Sequence, residues 1–150
     1  ELFFLDEATA LAAGHRPCSL CQRDRFEQFR SLWDRANPEA SVIAGATAIG
    51  LDKALRRETY VSDTSTLDYA KAIEELPDGT IVTSDGIHAY LVCSRRLLRW
   101  DPFGYTQPAP TEVGQSFRVI TPASIVRTLR VGYPVGIHHS AIDLSKESIN

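Results

Sequence analysis

The spacing of the hydrophobic residues changes about halfway along this chain. In the first part they recur every three or four residues, which is the period of an amphipathic helix. The pattern predicts a first helix over 6–13, with Asp6 as its N-cap and Gly14 as its left-handed end. A second, amphipathic helix is predicted over 19–36, and Asn37-Pro38 ends it.

The middle of the chain has a weaker pattern. A helix is predicted from Thr47 to Glu58, followed by a polar link, "YVSDTSTLDYAKAIEEL". From there the spacing changes to two, and turns at Pro77-Asp78-Gly79 and Asp85-Gly86 separate runs rich in β-branched and aromatic residues. The pattern predicts a three-stranded antiparallel meander over roughly 80–100.

The end of the chain combines one more strand with one more helix. The run "SFRVI" leads into Thr121-Pro122, a capping residue followed by proline at the first helical position, and a helix is predicted over 122–131 with Gly132 after it. We therefore predict an α+β fold. Its N-terminal helical segment covers 1–38, and its α+β region covers 39–150, with an antiparallel β-meander over about 80–120 and one packed helix.

Composition excludes some classes of protein. With 150 residues, 43% of them hydrophobic, the chain can bury a core without disulfides. The formal net charge of -3 argues against overall attraction to nucleic acid but leaves room for a local basic face. Three cysteines, an odd number, indicate a reducing compartment. No apolar run approaches the roughly 20 residues of a membrane helix, and no leader is evident, so we expect a cytoplasmic protein with no membrane partner.

The chemistry of the chain is concentrated in "GHRPCSLCQRDRF", where Cys18 and Cys21 are separated by two residues. Two thiols at this spacing can bind one metal ion, and a helix that begins there would favour the thiolate form that zinc requires. A redox pair and two buried, unligated cysteines are the alternatives. A redox pair of the thioredoxin type normally follows a strand, whereas this pair follows a helix and a glycine.

The stretch "FFLDEATALAAGHRPCSLCQRD", from Phe3 to Asp24, resembles the second half of the zinc-binding domain of Ada, the adaptive-response DNA repair protein. In that family a helix ends in Ala-Gly and is followed by Arg-Pro-Cys-x-x-Cys. The resemblance implies that Cys18 and Cys21 are two of four zinc ligands. The family's upstream cysteine pair, which includes the methyl acceptor, has no counterpart here, so the methyl-transfer activity is not implied. The later pieces "LPDG", "DPFGY" and "LRVGY" resemble segments of a bacterial protein family.

The remaining metal ligands are not evident from spacing. His15 precedes Cys18 by three residues, but the matching position in the Ada-like family is usually aromatic and packs. Cys93 lies in a predicted strand, where a core position is favoured, and nothing in the spacing brings His138-His139 to the pair. The chain contains no methionine, so we expect residues upstream of it that could supply a ligand.

Arginines surround the cysteine pair and recur in the meander. Arg16, Arg23, Arg25 and Arg96 are candidate phosphate-binding residues, and Trp100, Phe103 and Tyr105 could stack on bases beside them. Interspersed acidic residues favour the alternative of a salt-bridged, solvated helix face. Ser124 and Thr121 lie near a predicted helix N-terminus, but no base is identifiable beside either, so no nucleophile is assigned there.

These observations favour a small zinc-binding protein, with nucleic acid as the expected partner of a binding module. One alternative is an enzyme whose pocket lies between the helical and sheet halves, with zinc only supporting the fold. Another is a thiol-disulfide redox protein. The coordination of the metal distinguishes the first two, because four protein ligands indicate structural zinc and three ligands with water indicate catalysis. The sequence identifies neither the substrate nor the oligomeric state.

Overall fold

A computed structural model describes residues 4–60 and 65–147, and it confirms the α+β class. Residues 61–64 of the predicted polar link lie outside the described ranges. The helices in the described ranges, numbered in chain order, are α1 Glu7–Ala12, α2 Arg23–Ala36, α3 Pro38–Ala44, α4 Ala48–Tyr60, α5 Tyr69–Glu75, α6 Ala123–Arg130 and α7 His139–Glu147.

Five strands form one antiparallel sheet in the spatial order β4-β3-β2-β1-β5. The strands are β1 Ile81–Thr83, β2 Ala89–Cys93, β3 Arg96–Asp101, β4 Gly104–Thr106 and β5 Arg118–Val119. The first four form the meander, and β5 returns to pair with the free side of β1, where Val82 lies opposite both Tyr90 and Val119. The predicted meander is confirmed and is one strand longer than the spacing indicated.

The two faces of the sheet bury different helices. On one face, Ala8 and Ala12 of α1 and Ala141 of α7 pack against Leu91 and Leu98. On the other face, Ala72 of α5 packs in a cluster with Val82, Tyr90, Val92, Leu97 and Phe117. Alternation along β2 and β3 supplies both faces, because successive strand residues point to opposite sides.

A third cluster joins the helices. It consists of Leu11, Phe29, Trp33, Leu51, Leu55, Ile125, Leu129 and Tyr133, which come from α1, α2, α4, α6 and the loop after α6. Residues from both predicted segments, 1–38 and 39–150, share this cluster. Helix α6 therefore packs on α2, and it also directly follows β5 in the chain. Its N-terminus consequently lies between the helical and sheet halves.

Locally encoded elements agree with the predictions. Asp6 caps α1 by accepting the N–H of Thr9 at 2.9 Å, and Gly14 has the expected positive φ of 83°. The predicted helix from Thr47 to Glu58 corresponds to α4.

Other elements differ from the predictions. Helix α2 begins at Arg23, four residues later than predicted, and α3, α5 and α7 were not predicted as helices. The N-cap of α6 is Pro122, because the hydroxyl of Thr121 instead accepts the N–H of Ile81 at 2.8 Å and ties the helix to β1. No helix in the described part of the chain is long and apolar enough to cross a membrane.

Candidate metal-binding site

The two cysteines of the CxxC motif lie in a turn between α1 and α2. We call residues 17–22 the cysteine turn. Gly14 redirects the chain into it with a positive φ, and a Cβ at this position would meet the Cγ2 of Thr59 at 3.0 Å. Pro17 is buried, whereas Cys18 is half-buried and Cys21 is exposed. The fold therefore presents both thiols to solvent at the base of α2.

Hydrogen bonds within the cysteine turn make the two thiols unequal. The backbone N–H of Cys21 donates to the Sγ of Cys18 at 3.2 Å. This bond, a side-chain bond from the Cys21 thiol and the backbone of Leu20 lower the pKa of Cys18 to about 7, while bonding to Cys18 raises the pKa of Cys21. The predicted cause, the start of a helix at the pair, is wrong because α2 begins after Cys21; the turn itself supplies the stabilising N–H groups.

Two thiols in one turn are an arrangement that tetrahedral zinc sites use for two of their four positions. Zinc in structural sites takes four ligands, thiolates among them, and backbone N–H groups that bond to a ligand sulfur hold it in place. Within residues 4–60 and 65–147 there is no group of three or more His, Cys, Asp or Glu residues arranged to hold an ion. The structure therefore places Cys18 and Cys21 in one turn, and metal binding by this pair stays a prediction.

The other candidate ligands lie in different surroundings. The ring of His15 contacts that of Phe4 at a tilt of 51°, with 5.1 Å between centroids, and His15 and Cys18 both line a cavity of about 430 Å³. Cys93 is buried in the sheet core against α1. His138 contacts Ser140 through Nδ1 at 2.8 Å at the start of α7. The structure does not bring these residues together with the cysteine pair as a ligand group.

Arg16 anchors the cysteine turn to α4. Its Nε and one terminal nitrogen donate to the two carboxylate oxygens of Asp52 at 2.9 and 3.0 Å, and its other terminal nitrogen donates to the Pro17 carbonyl at 2.9 Å. The guanidinium also lies 5.0 Å from the ring centroid of Phe26. Arg16 is thus committed to internal contacts that hold the turn in place.

The other candidate phosphate-binding arginines also have internal partners. Arg23 pairs with Glu27 at 3.2 Å, and Arg25 pairs with Glu7. Arg96 donates to the Leu144 carbonyl at 2.9 Å and to Gln107 at 2.6 Å. Arg96 therefore lies on β3 and contacts α7, whereas Arg16 directly precedes the cysteine turn and Arg23 and Arg25 lie in α2. Nucleic-acid binding by these four residues stays a prediction.

The proposed aromatic platform is not assembled. Tyr105 is buried and its hydroxyl donates to the Asp6 carboxylate at 2.9 Å, while Trp100 packs partly against the core and Phe103 is exposed. The three side chains therefore have different environments rather than one shared surface.

Glu7, an acidic residue at the start of α1, forms contacts that sequence reasoning missed. The Glu7 carboxylate accepts the Tyr133 hydroxyl at 2.7 Å and the Gly136 N–H at 2.8 Å, in addition to Arg25. Burial and the Glu7 carboxylate raise the pKa of Tyr133, which keeps its hydroxyl a donor. No local signal marks these contacts, because Arg25 is 18 residues away along the chain and Tyr133 and Gly136 are more than 120 residues away. They fasten the helix before the cysteine turn to the C-terminal segment.

Ser124 has an acidic neighbour that was not identifiable from the sequence. Its Oγ donates to the Glu58 carboxylate at 2.6 Å and accepts the Trp33 indole N–H at 3.0 Å. Ser124 is 0% exposed, so this cluster joins α2, α4 and α6 and offers no accessible nucleophile.

Comparison of the chain with protein-family models, with curated proteins and with solved structures found no match. The resemblance to the Ada zinc-binding domain accordingly stays a prediction that depends on the residues of the cysteine turn and α1.

Proposed function

We propose that this chain is a zinc-binding protein in which Cys18 and Cys21 supply two ligands of a structural site. The observation that carries the proposal is the 3.2 Å hydrogen bond from the Cys21 N–H to the Cys18 sulfur, in a turn where both thiols are accessible. A thiol whose pKa is near 7 releases its proton to water at little cost at neutral pH, and the thiolate can then bind zinc. The turn thus stabilises the Cys18 thiolate before any ion binds.

The surroundings of the turn support a structural role for this ion. Gly14 and the Arg16–Asp52 pair fix the path of the chain into the turn, and α1 before it is fastened to the C-terminal segment through Glu7. An ion held here would stabilise the junction of α1, α2 and α4, because binding to the folded form adds to folding stability. Residues 4–60 and 65–147 place no third or fourth metal ligand beside the cysteine pair. The remaining ligands of the proposed site therefore come from elsewhere.

The test is the zinc content of the purified full-length protein and of three cysteine variants. Cys18→Ser and Cys21→Ser each remove one ligand, so we expect zinc to be lost from both. Cys93→Ala is the matched control, because Cys93 is buried in the sheet core, and it should retain zinc. Removal of zinc by a strong chelator should also expose two thiols to alkylation and lower the unfolding temperature.

The metal proposal would be contradicted if the wild-type protein contained no zinc. It would also be contradicted if Cys18→Ser and Cys93→Ala had equal zinc contents. Four protein ligands in X-ray absorption spectra would support a structural site, and three ligands with water would instead support catalysis.

A thiol-disulfide redox function is the second candidate, and the unequal pKa values of the pair favour it. In such a reaction the Cys18 thiolate attacks a substrate disulfide and releases one substrate thiolate. The Cys21 thiolate then attacks the mixed disulfide, which releases the second substrate thiolate and leaves a Cys18–Cys21 disulfide. The substrate disulfide is the oxidant, and it gains the two electrons that the pair loses.

The pH dependence of alkylation tests the Cys18 thiolate in zinc-free protein. Because the pKa of Cys18 is lowered to about 7, its alkylation rate should rise through pH 7, whereas an ordinary thiol would respond near pH 9. A redox pair also has to form the Cys18–Cys21 disulfide reversibly in a glutathione buffer, and failure to form it would exclude the redox function.

A further inference from the structure

A cavity of about 730 Å³ lies between the helical half and the sheet, apart from the cysteine turn. Its wall is formed by α4, α6, β5 and the segment that joins β5 to α6. Three arginines line it: Arg57 from α4 and Arg127 and Arg130 from α6. We call it the arginine cavity. Its volume falls within the range of about 300–1,000 Å³ that is usual for small-molecule sites.

Among residues 4–60 and 65–147, no ion pair neutralises the charges of these three guanidiniums. Arg127 donates to the side-chain oxygen of Asn37 at 2.6 Å, and Arg130 donates to the backbone carbonyl of Glu75 at 2.8 Å. Both acceptors are neutral. In the described part of the chain none of the three forms a salt bridge, although a guanidinium has five N–H donors. The cavity therefore concentrates positive charge and unused donors.

One carboxylate also lines the arginine cavity, and it already has partners. Glu58 accepts the Ser124 hydroxyl at 2.6 Å and the Ser124 backbone N–H at 3.3 Å at the N-terminus of α6. Its charge is thus directed at the helix end, where a carboxylate is favourable. Three positive charges and one such negative charge leave the wall with a positive excess.

Most of the rest of the wall is apolar, with Thr121 as the exception. Leu76, Val119, Ile120 and Val126 contribute side chains to it, and Ile120 is partly exposed. An apolar wall next to guanidiniums suits a molecule with a hydrophobic body and an anionic group, because burial of the body and charge-assisted hydrogen bonds then act together. We propose that the arginine cavity binds a small organic anion, with a carboxylate or phosphate between Arg57 and Arg130 and an apolar body against Val119 and Val126.

The binding test uses the full-length protein and four probes in isothermal titration calorimetry. 1-Naphthyl phosphate and 1-naphthoate carry both the apolar body and an anionic group, and comparison of the two identifies the preferred group. 1-Naphthol lacks the charge and inorganic phosphate lacks the apolar body. We expect the two anionic naphthyl probes to bind at least about tenfold more tightly than 1-naphthol and inorganic phosphate.

Variants locate the binding. Arg57→Gln and Arg130→Gln should each weaken binding of the anionic naphthyl probes about tenfold, since each removes a charge-assisted hydrogen bond. Ile120→Trp, which fills the cavity at a partly exposed position, should weaken binding at least as much. Arg35→Gln, an exposed arginine of α2 that does not line the cavity, is the matched control and should bind as the wild type does.

Three results would overturn the proposal. These are no saturable binding of either anionic naphthyl probe below about 1 mM, equal affinity for 1-naphthol, and equal weakening by Arg35→Gln and Arg57→Gln. Circular dichroism and thermal unfolding of each variant identify a folding defect, and Arg57→Gln is the decisive variant because its exposed side chain makes no salt bridge among the described residues.

Discussion

The arginines near the cysteine turn and those of the arginine cavity carry the same charge but contact different partners. Near the turn, Arg16, Arg23 and Arg25 each pair with a carboxylate, from Asp52, Glu27 and Glu7 respectively. In the arginine cavity, Arg127 and Arg130 bond to neutral acceptors and no described carboxylate forms a salt bridge with them. The first group pairs its charges within the fold, and the second has no salt bridge among the described residues.

This difference shows that arginine density along the chain does not measure the potential in space. The stretch from Arg16 to Arg30 is rich in arginine, yet its acidic residues lie at helical spacing or on packed elements and neutralise it. The cavity arginines come from helices about 70 positions apart in sequence and converge only because α4 and α6 pack around one core.

The largest change in the free energy of unfolding should come from replacement of Glu7, whose carboxylate pairs with Arg25 and accepts two further hydrogen bonds. Glu7→Ala leaves Arg25, the Tyr133 hydroxyl and the Gly136 N–H without their carboxylate, and the Glu7 side chain is only 17% exposed. We expect the free energy of unfolding to fall by about 3 kcal/mol in guanidinium titrations. Glu27→Ala, which removes an exposed partner of Arg23, should cost less than about 0.5 kcal/mol. Similar losses for the two variants would contradict this assignment.

A smaller loss is expected at the buried cluster beside the arginine cavity. Ser124→Ala removes the acceptor of the Trp33 indole and the donor to Glu58, so stability should fall by about 2 kcal/mol. The fluorescence of Trp33, which is 1% exposed, should change in the folded state. The exposed Ser31→Ala on α2 is the control and should be neutral or slightly stabilising. An unchanged unfolding midpoint in Ser124→Ala would exclude a structural role for this cluster.

The bidentate pair at the cysteine turn should have an intermediate effect. Arg16 is 15% exposed, and Arg16→Gln removes its fork to Asp52, so we expect a loss of about 1.5 kcal/mol. The loss should depend only weakly on salt, and a double-mutant cycle with Asp52→Asn should show coupling between the two positions. Additive single losses would mean that the pair contributes little to the position of the turn.

The smallest change in stability is expected in the arginine cavity, where the direction of the change is the test. Arg57→Gln removes one of three like charges, so stability should be unchanged or rise by a few tenths of a kcal/mol at low salt. Thermal unfolding at low and high ionic strength measures this change, which should vanish as salt is added. A clear loss of stability would show that Arg57 has a structural partner and would remove the contrast between the two groups.

Short-range features of the structure were predictable from the sequence. The Asp6 cap, the Gly14 end of α1, the helix α4 and the turn at Asp85-Gly86 between β1 and β2 all follow from residues within a few positions of one another. The CxxC spacing likewise places two thiols in one turn whatever the rest of the chain does. Prediction failed where local signals conflict or are brief. Helix α2 begins four residues after its predicted start, because the cysteine turn occupies that position. Helix α5 was not predicted, because it has only seven residues and lies inside a polar segment.

The sequence by itself therefore determined the α+β class, the individual capped elements and the presence of a paired thiol. The tertiary structure alone decided which charges remain unpaired and which side chains meet. Glu7 reaches Tyr133 across 126 positions and Glu58 reaches Ser124 across 66. Periodicity and capping act within one or two helical turns, so they specify elements and leave their partners open. The packing of α1, α2, α4 and α6 around one shared apolar cluster sets these partners. This packing brings carboxylates to the arginines near the cysteine turn. Among the described residues, it brings no carboxylate into a salt bridge with the cavity arginines.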